Sequence, residues 1–103
     1  MTISSKREYN KRMIKRIESG IYAKGLGDGY LSFVTNYAHK LELTGVVFAQ
    51  NDGSIKVIAE GEEERLEKLS KKLERGGFFS SMENFYIKWE EPKEEFKSFA
   101  TIY

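Results

Sequence analysis

The sequence predicts an α+β domain of the ferredoxin-like class, a βαββαβ sandwich whose mostly antiparallel sheet carries two helices on one face, with an extra C-terminal strand. Three observations predict this class. Apolar residues recur at helical spacing over 30–41 and 62–76. Short segments with strand patterns precede, separate and follow these helices, in the order of a split βαβ unit. A chain of 103 residues, 40% of them apolar, suits one domain with one core.

A glycine-rich segment links the first predicted strand, residues 15–23, to the first predicted helix. The strand presents one face formed by Ile17, Ser19 and Ile21. The stretch KGLGDGYLSFV, residues 24–34, holds three glycines in five positions and runs into the helix. Such a loop before a helix N-terminus is an arrangement that binds phosphate, although the carboxylate of Asp28 lies at its centre. The helix presents one apolar stripe, formed by Tyr30, Phe33, Val34, Tyr37, Ala38 and Leu41.

A hairpin and a second helix follow. Residues 45–50 and 54–60 predict two strands joined at Asp52-Gly53, because glycine tolerates the positive φ of a tight turn. Gly61 is expected to end the second of these strands. The helix over 62–76 has glutamates at its start and basic residues near its end, which complements the helix dipole. Its buried stripe is predicted to be Leu66, Leu69 and Leu73, with Gly76 as the stop.

The C-terminal region predicts two more strands. Residues 82–89 alternate, and Pro92 ends this strand. The last short strand is expected within 96–103. Phe78 and Phe79, in the loop after the second helix, are interpreted either as a hydrophobic lid over the core or as an exposed patch for a partner, and we favour the lid. The core face of the 82–89 strand is predicted to be Glu83, Phe85, Ile87 and Trp89.

Composition narrows the function classes. The chain has no cysteine, which excludes disulfide and thiolate chemistry, and its single histidine, His39, argues against His-rich metal clusters. We therefore expect no metal and no cofactor, and we interpret His39 as an exposed polar residue. No apolar run approaches the roughly 20 residues that cross a bilayer, so we expect a cytoplasmic protein that does not bind membranes. A monomer is the expected oligomeric state.

The charge is unevenly distributed. Residues 1–24 hold seven Lys or Arg against two Glu, whereas the rest of the chain is net negative. We therefore divide the chain into a basic N-terminal extension, residues 1–12, and a domain, residues 13–103. The extension is interpreted as a solvated terminus. The alternative interpretation, based on its positive charge, is that it binds an anion, an acidic partner or RNA. The RNA interpretation is the weakest, because the third strand of the predicted sheet carries no aromatic residue for base stacking.

The chain resembles the acylphosphatase family over about residues 13–103, and the landmarks that carry the resemblance lie mainly in its second half. Separate landmarks agree with the family in order and spacing. They are Leu43-Thr44-Gly45, Asp52-Gly53, Ala59-Glu60-Gly61, Trp89-Glu90-Glu91-Pro92 and Tyr103. Acylphosphatases hydrolyse the mixed anhydride of a carboxylic acid and phosphate without a metal. The resemblance implies that a loop of the form GxVQGVxFR binds phosphate through its backbone N–H groups and its final Arg, while an Asn on the second strand positions the attacking water.

The sequence departs from the family pattern at both of these side chains. Leu31 occupies the position of the Arg, and Ala49 occupies that of the Asn. Losing one charge-stabilising donor typically costs about 10²–10³ in rate, and two donors acting as a unit do not add simply. No catalytic residue is therefore assigned. What remains is interpreted as the vestige of a phosphate loop, formed by Lys24, Gly25, Leu26, Gly27, Asp28, Gly29 and Tyr30.

Two functional hypotheses follow from the resemblance and these departures. The first is an acylphosphatase-like domain that is catalytically inactive and retained as a binding or interaction module. The second is a divergent acylphosphatase, in which Lys24 supplies charge and Asn51 or Gln50 holds water. The simpler interpretation of Lys24 is a solvated loop residue, and that of Asn51 is a turn former before Asp-Gly.

Overall fold

The computed structural model describes residues 13–22, 26–75 and 84–103. Within these residues five strands form one sheet in the order β4-β1-β3-β2-β5, and two helices pack on one of its faces. Every neighbouring pair is antiparallel except β2 and β5, which are parallel. The predicted α+β class is therefore confirmed. The elements are β1 (Ile14–Tyr22), α1 (Asp28–Lys40), β2 (Thr44–Ala49), β3 (Ile55–Glu62), α2 (Glu63–Arg75), β4 (Asn84–Glu90) and β5 (Phe99–Ile102).

Several boundaries differ from the predicted ones, among them those of α1, β3 and β5. Helix α1 begins at Asp28 rather than at residue 30, because Gly27 is its N-cap and the Gly27 carbonyl accepts hydrogen bonds from the first-turn amides. Strand β3 continues through Gly61 to Glu62. Strand β5 begins only at Phe99, because the residues before it form a connection across the sheet. The predictions for residues 1–12, Lys24, Gly25, Gly76, Phe78, Phe79 and Glu83 lie outside the described residues.

The core lies between the helices and the face of the sheet that they cover. Helix α1 packs mainly on β2 and β5, and α2 packs on β1 and β3. The predicted leucine stripe of α2 is confirmed, since all three leucines are fully buried. Burial of apolar surface at about 25 cal/mol per Å² is the main stabilising term for such a sandwich. The largest buried side chains include Ile17, Ile21, Tyr30, Val34, Val47, Ile55, Val57, Leu66, Leu69 and Leu73.

Strand β4 departs from its predicted core face. Phe85 and Ile87 are only partly buried against the core, and Trp89 is 43% exposed. The prediction that Trp89 belongs to the core is wrong, because β4 is an edge strand and the helices pack on the other strands.

A buried ion pair fixes the connection that crosses the open face of the sheet from β4 to β5. Arg16 and Glu60 face each other on β1 and β3, with side chains only 7% and 4% exposed, and the Arg16 guanidinium donates to the Glu60 carboxylate at 2.8 Å. The same carboxylate accepts hydrogen bonds from the backbone N–H groups of Lys93, at 2.8 Å, and Glu94, at 2.9 Å. Arg16 also contacts Glu95 at 2.9 Å. The connection is therefore held by side chains of two central strands.

Candidate functional site

The start of α1 and the end of β2 lie at the same end of the sheet. In the register of the strands, Ile55 at the start of β3 is flanked by Ile21 of β1 and Ala49 of β2. The chain leaves β1 after Tyr22 and enters α1 at this same end. The fold thus places Leu31 and Ala49, the two positions to which the resemblance assigns catalysis, at the same end of the sheet.

Leu31 belongs to the hydrophobic core. It lies in the first turn of α1, its side chain is 3% exposed, and it is part of the core cluster. The neighbouring Tyr30 is fully buried, and this burial raises the pKa of its hydroxyl group. Its ring packs 5.8 Å from that of Phe33. The start of α1 therefore directs apolar and uncharged groups inward, and neither Tyr30 nor Leu31 offers a cation to a bound anion.

The N-terminus of α1 retains backbone donors. The amides of Tyr30 and Leu31 donate to the Gly27 carbonyl at 2.9 and 3.2 Å, whereas the first two helical amides, those of Asp28 and Gly29, have no acceptor within the helix. These amides and the helix dipole favour a negative charge at this end. The exposed carboxylate of Asp28, in the first turn, supplies such a charge from within the chain. Of the other predicted loop residues, Leu26 packs against the core and Gly27 and Gly29 are exposed.

The β2–β3 hairpin is fixed by its own side chains. The Asp52 carboxylate accepts hydrogen bonds from the Ser54 amide at 2.9 Å and the Ser54 hydroxyl at 2.6 Å, which lowers the Asp52 pKa. The Gln50 side-chain amide donates to the Ser54 hydroxyl oxygen at 2.8 Å. Asn51 lies in the turn and is exposed, and Ala49 presents only a methyl group. A shallow depression of about 540 Å³ runs beside these residues.

The open face of the sheet carries a second cavity at the same end, with a volume of about 450 Å³. Two tyrosines, Tyr22 and Tyr86, line it together with polar side chains of the hairpin and of β4. This cavity was not predicted from the sequence. Its one local signal is Gly20, a glycine inside a strand, which often marks the close approach of another group.

The single histidine has a structural partner. His39 is exposed on α1, as predicted, and its Nε2 donates a hydrogen bond to the Phe99 carbonyl of β5 at 2.8 Å. Among the described residues, no group of three or more His, Cys, Asp or Glu side chains is placed to hold a metal ion. In the same part of the chain, no helix combines the length and the apolar character needed to cross a bilayer.

Comparisons with known proteins identify a family for this chain. The family model for acylphosphatase matches residues 26–101. An acylphosphatase of Helicobacter hepaticus is 46% identical over 76 residues, covering 69% of this chain and 79% of the relative. One of Salinibacter ruber is 29% identical over 85 residues, covering 82% and 90%. The crystal structure of acylphosphatase from Bacillus subtilis matches with a TM-score of 0.78 and 25% identity, covering 88% of this chain and all of that one. The chain therefore belongs to the acylphosphatase family.

Proposed function

We propose that this protein is an acylphosphatase-like domain that does not hydrolyse acyl phosphates and serves as a binding or interaction module. One observation carries the proposal. The family's Arg position is Leu31, whose side chain is buried in the core at 3% exposure. Phosphoryl chemistry depends on positioning the nucleophile and on neutralising charge, and a planar guanidinium meets phosphate oxygens with paired donors as an alkyl group does not.

The charges around the loop support the same proposal. An acyl phosphate placed at the N-terminus of α1 would meet backbone amides and the Asp28 carboxylate. Two unit charges of like sign at ~4 Å repel by about 4 kcal/mol at an effective dielectric of ~20. The exposed methyl group of Ala49 cannot hold an attacking water. The site therefore retains the backbone donors of a phosphate loop without its two functional side chains.

The alternative is a divergent acylphosphatase that cleaves the carboxyl–phosphate bond with substitute residues. The observation that favours it is the 46% identity to a relative named as an acylphosphatase. In this case Lys24, which lies outside the described residues, would supply the charge. Asn51, exposed in the hairpin turn next to the depression beside Ala49, would hold the water.

Hydrolysis of benzoyl phosphate separates the two functions. For the wild-type protein we expect a rate equal to the uncatalysed background, and for the double variant Leu31→Arg with Ala49→Asn a rate at least about 10²-fold higher. Leu31→Met, which keeps an apolar side chain of similar volume, is the matched control and should stay at background. Because an arginine replaces a buried leucine, circular dichroism and thermal unfolding of the double variant must show a folded protein before its rate is interpreted.

Wild-type turnover clearly above background would contradict the proposal. If that turnover is lost in a Lys24→Ala, Asn51→Ala variant that remains folded, the divergent enzyme is established instead. Wild-type turnover that survives both substitutions would exclude these two residues as the substitute catalytic groups.

A further inference from the structure

The cavity on the open face of the sheet lies opposite the side to which the family assigns chemistry. In β1, Ile17, Ser19 and Ile21 point toward the helices, so Gly20 and Tyr22 point to the other face. Strand β4 places Tyr86 opposite Gly20 and Asn84 opposite Tyr22 in the antiparallel register. The cavity is therefore built from two strands and the β2–β3 hairpin, and Leu31 and the core lie on the far side of the sheet.

Two tyrosine rings form the walls of this cavity. The Tyr86 ring lies across β1 at Gly20, where an added Cβ would overlap the ring, so only glycine permits this position. Its hydroxyl donates to the Glu18 carboxylate at 3.3 Å, which draws the ring toward Glu18. The Tyr22 ring leans toward the hairpin, where its Cε1 lies 3.5 Å from the position of a Cβ on Gly53.

Each of the two rings offers its own surface to a planar guest. Tyr22 and Tyr86 are diagonal neighbours on adjacent strands, but the Tyr86 ring lies over Gly20 toward Glu18, whereas the Tyr22 ring leans toward the hairpin. The geometry therefore suits stacking of a planar ring on the Tyr86 ring, with the edge of the guest facing the hairpin. The rings are 37% and 45% exposed, so both retain surface for a ligand. The volume of about 450 Å³ is within the range of small-molecule sites.

The polar groups of the cavity are mainly hydrogen-bond acceptors. The Asp52 carboxylate uses Oδ1 for Ser54, which leaves Oδ2 for a ligand. The Gln50 amide nitrogen donates to Ser54, which leaves the carbonyl oxygen Oε1. Asn84 adds a side-chain amide at the rim. Among the described residues that line the cavity there is one carboxylate and no Lys or Arg, so the lining favours donors and opposes a phosphate group.

We propose that this cavity, the tyrosine pocket, binds a planar heteroaromatic ring with an amino substituent, of the size of a nucleobase, stacked on the Tyr86 ring. The amino group donates to Asp52 and Gln50. The ligand carries no phosphate in the pocket. This function does not require the proposed loss of acyl-phosphate hydrolysis, because the two tyrosines lie on the opposite face of the sheet from Leu31, although Gln50 and Asp52 also border the depression beside Ala49.

A titration of the full chain by ¹H–¹⁵N NMR tests the tyrosine pocket, with adenosine as the probe. Adenosine at millimolar concentrations should shift the amide signals of Tyr22, Ser54 and Asn84. Purine riboside, which is adenosine without the amino group, should bind more weakly, and so should adenosine 5′-monophosphate because of the Asp52 charge. A single-stranded oligoadenylate distinguishes the source of the ring. Binding that is tighter than that of adenosine and is weakened by Tyr86→Ala assigns the ring to a nucleic acid strand, and weaker binding assigns it to a free metabolite.

Matched variants locate the binding. Tyr86→Ala should weaken adenosine binding by about 5- to 150-fold, the effect of losing one stacking contact with a base. Tyr86→Phe should retain it, because the ring is kept. Trp89→Ala is the control, since Trp89 is an equally exposed aromatic residue of the same strand that does not line the pocket. Thermal unfolding of each variant verifies that it is folded.

Three results would overturn the proposal. One is the absence of adenosine-dependent shifts at the residues of the pocket. Another is equal adenosine affinity in the wild type and the folded Tyr86→Ala variant. The third is tighter binding of the monophosphate than of adenosine, which would contradict the acceptor-rich lining.

Discussion

At the scale of single residues, Gly45 has the strictest requirement among the described glycines. Its φ of +145° is a backbone conformation that side chains rarely adopt. A Cβ at this position would overlap the carbonyl oxygen of Ile58 and lie 2.9 Å from the Cα of Ala59, on the neighbouring strand β3. The absence of a side chain thus allows β2 to approach β3 at the start of their pairing.

Replacing Gly45 by alanine should lower the free energy of unfolding by at least about 2 kcal/mol, from backbone strain and the clash with β3. The matched control is Gly27→Ala. Gly27 has an extended φ of −163°, and no atom lies within 4 Å of an added Cβ. The substitution therefore affects only its role as N-cap, and it should lower the free energy of unfolding by less than about 1 kcal/mol. Urea denaturation of both variants measures the difference. Equal stabilities would contradict this account of the β2–β3 approach.

The buried carboxylate of Glu60 couples stability to pH. Burial alone would raise its pKa, but the hydrogen bonds from the Lys93 amide and Arg16 outweigh this effect and lower it. A carboxylate with a lowered pKa in the folded state contributes stability that is complete above its ordinary pKa. That stability is lost as the pH falls through the lower, folded-state value.

We therefore expect the unfolding free energy of the wild type to fall steeply between about pH 5 and pH 2, and that of Glu60→Gln to fall less. At neutral pH, Glu60→Gln should cost up to about 3–5 kcal/mol, reduced to the extent that Glu90 and Glu95 keep Arg16 paired. The control is Glu42→Gln, which removes the exposed partner of Arg65 and should cost about 0–1 kcal/mol. Chemical denaturation across this pH range measures the unfolding free energies. Parallel pH profiles for Glu60→Gln and the wild type would contradict the assignment of this pH dependence to Glu60.

At the scale of elements, local patterns predicted α2 and the hairpin well, because their information lies within a few residues. The three leucines of α2 recur at helical spacing, and Asp52-Gly53 encodes its own turn. The exposure of Trp89 could not be predicted from the alternation of apolar residues. It results from the edge position of β4, which depends on the order of all five strands. Strand β3 continues past Gly61 for a similar reason, namely its long pairing with β1.

The two candidate sites also differ in how far they could be predicted from the sequence. Leu31 and Ala49 were identified by their distance from family landmarks, and the fold places both at one end of the sheet. The tyrosine pocket combines β1, the hairpin and β4, which are far apart in the chain. The hydrogen bond from His39 to the Phe99 carbonyl could not be predicted either, because every residue carries a backbone carbonyl and the sequence does not indicate which one accepts.

At the scale of the whole molecule, charge distinguishes residues 1–12, the predicted N-terminal extension, from the rest of the sequence. The extension, residues 1–12, carries four Lys or Arg and one Glu, so removing it changes the formal net charge from +1 to −2. We predict that the truncated protein loses salt-dependent retention on immobilised heparin, because retention by a polyanion follows the number of cations that contact it. Its melting temperature should remain within a few degrees of that of the full chain.

A matched variant distinguishes the location of the charge from its amount. Replacing Lys68, Lys71 and Lys72 of α2 by glutamine removes the same net charge from another surface. Retention should persist in this variant. Equal loss of retention in both proteins would indicate that the net charge, rather than the extension, governs binding to polyanions.

The position of β1 between β3 and β4 also has a consequence for biosynthesis. As the ribosome extends the chain, β1 is made before either of its partner strands, so its backbone stays unpaired until residues 55–62 and 84–90 emerge. Its apolar residues Ile17 and Ile21 stay uncovered until α2 follows and packs on β1. Pairings between such distant segments form slowly. A nascent chain of this protein therefore passes through an interval in which an unpaired apolar strand invites aggregation, and protection by chaperones would matter most during that interval.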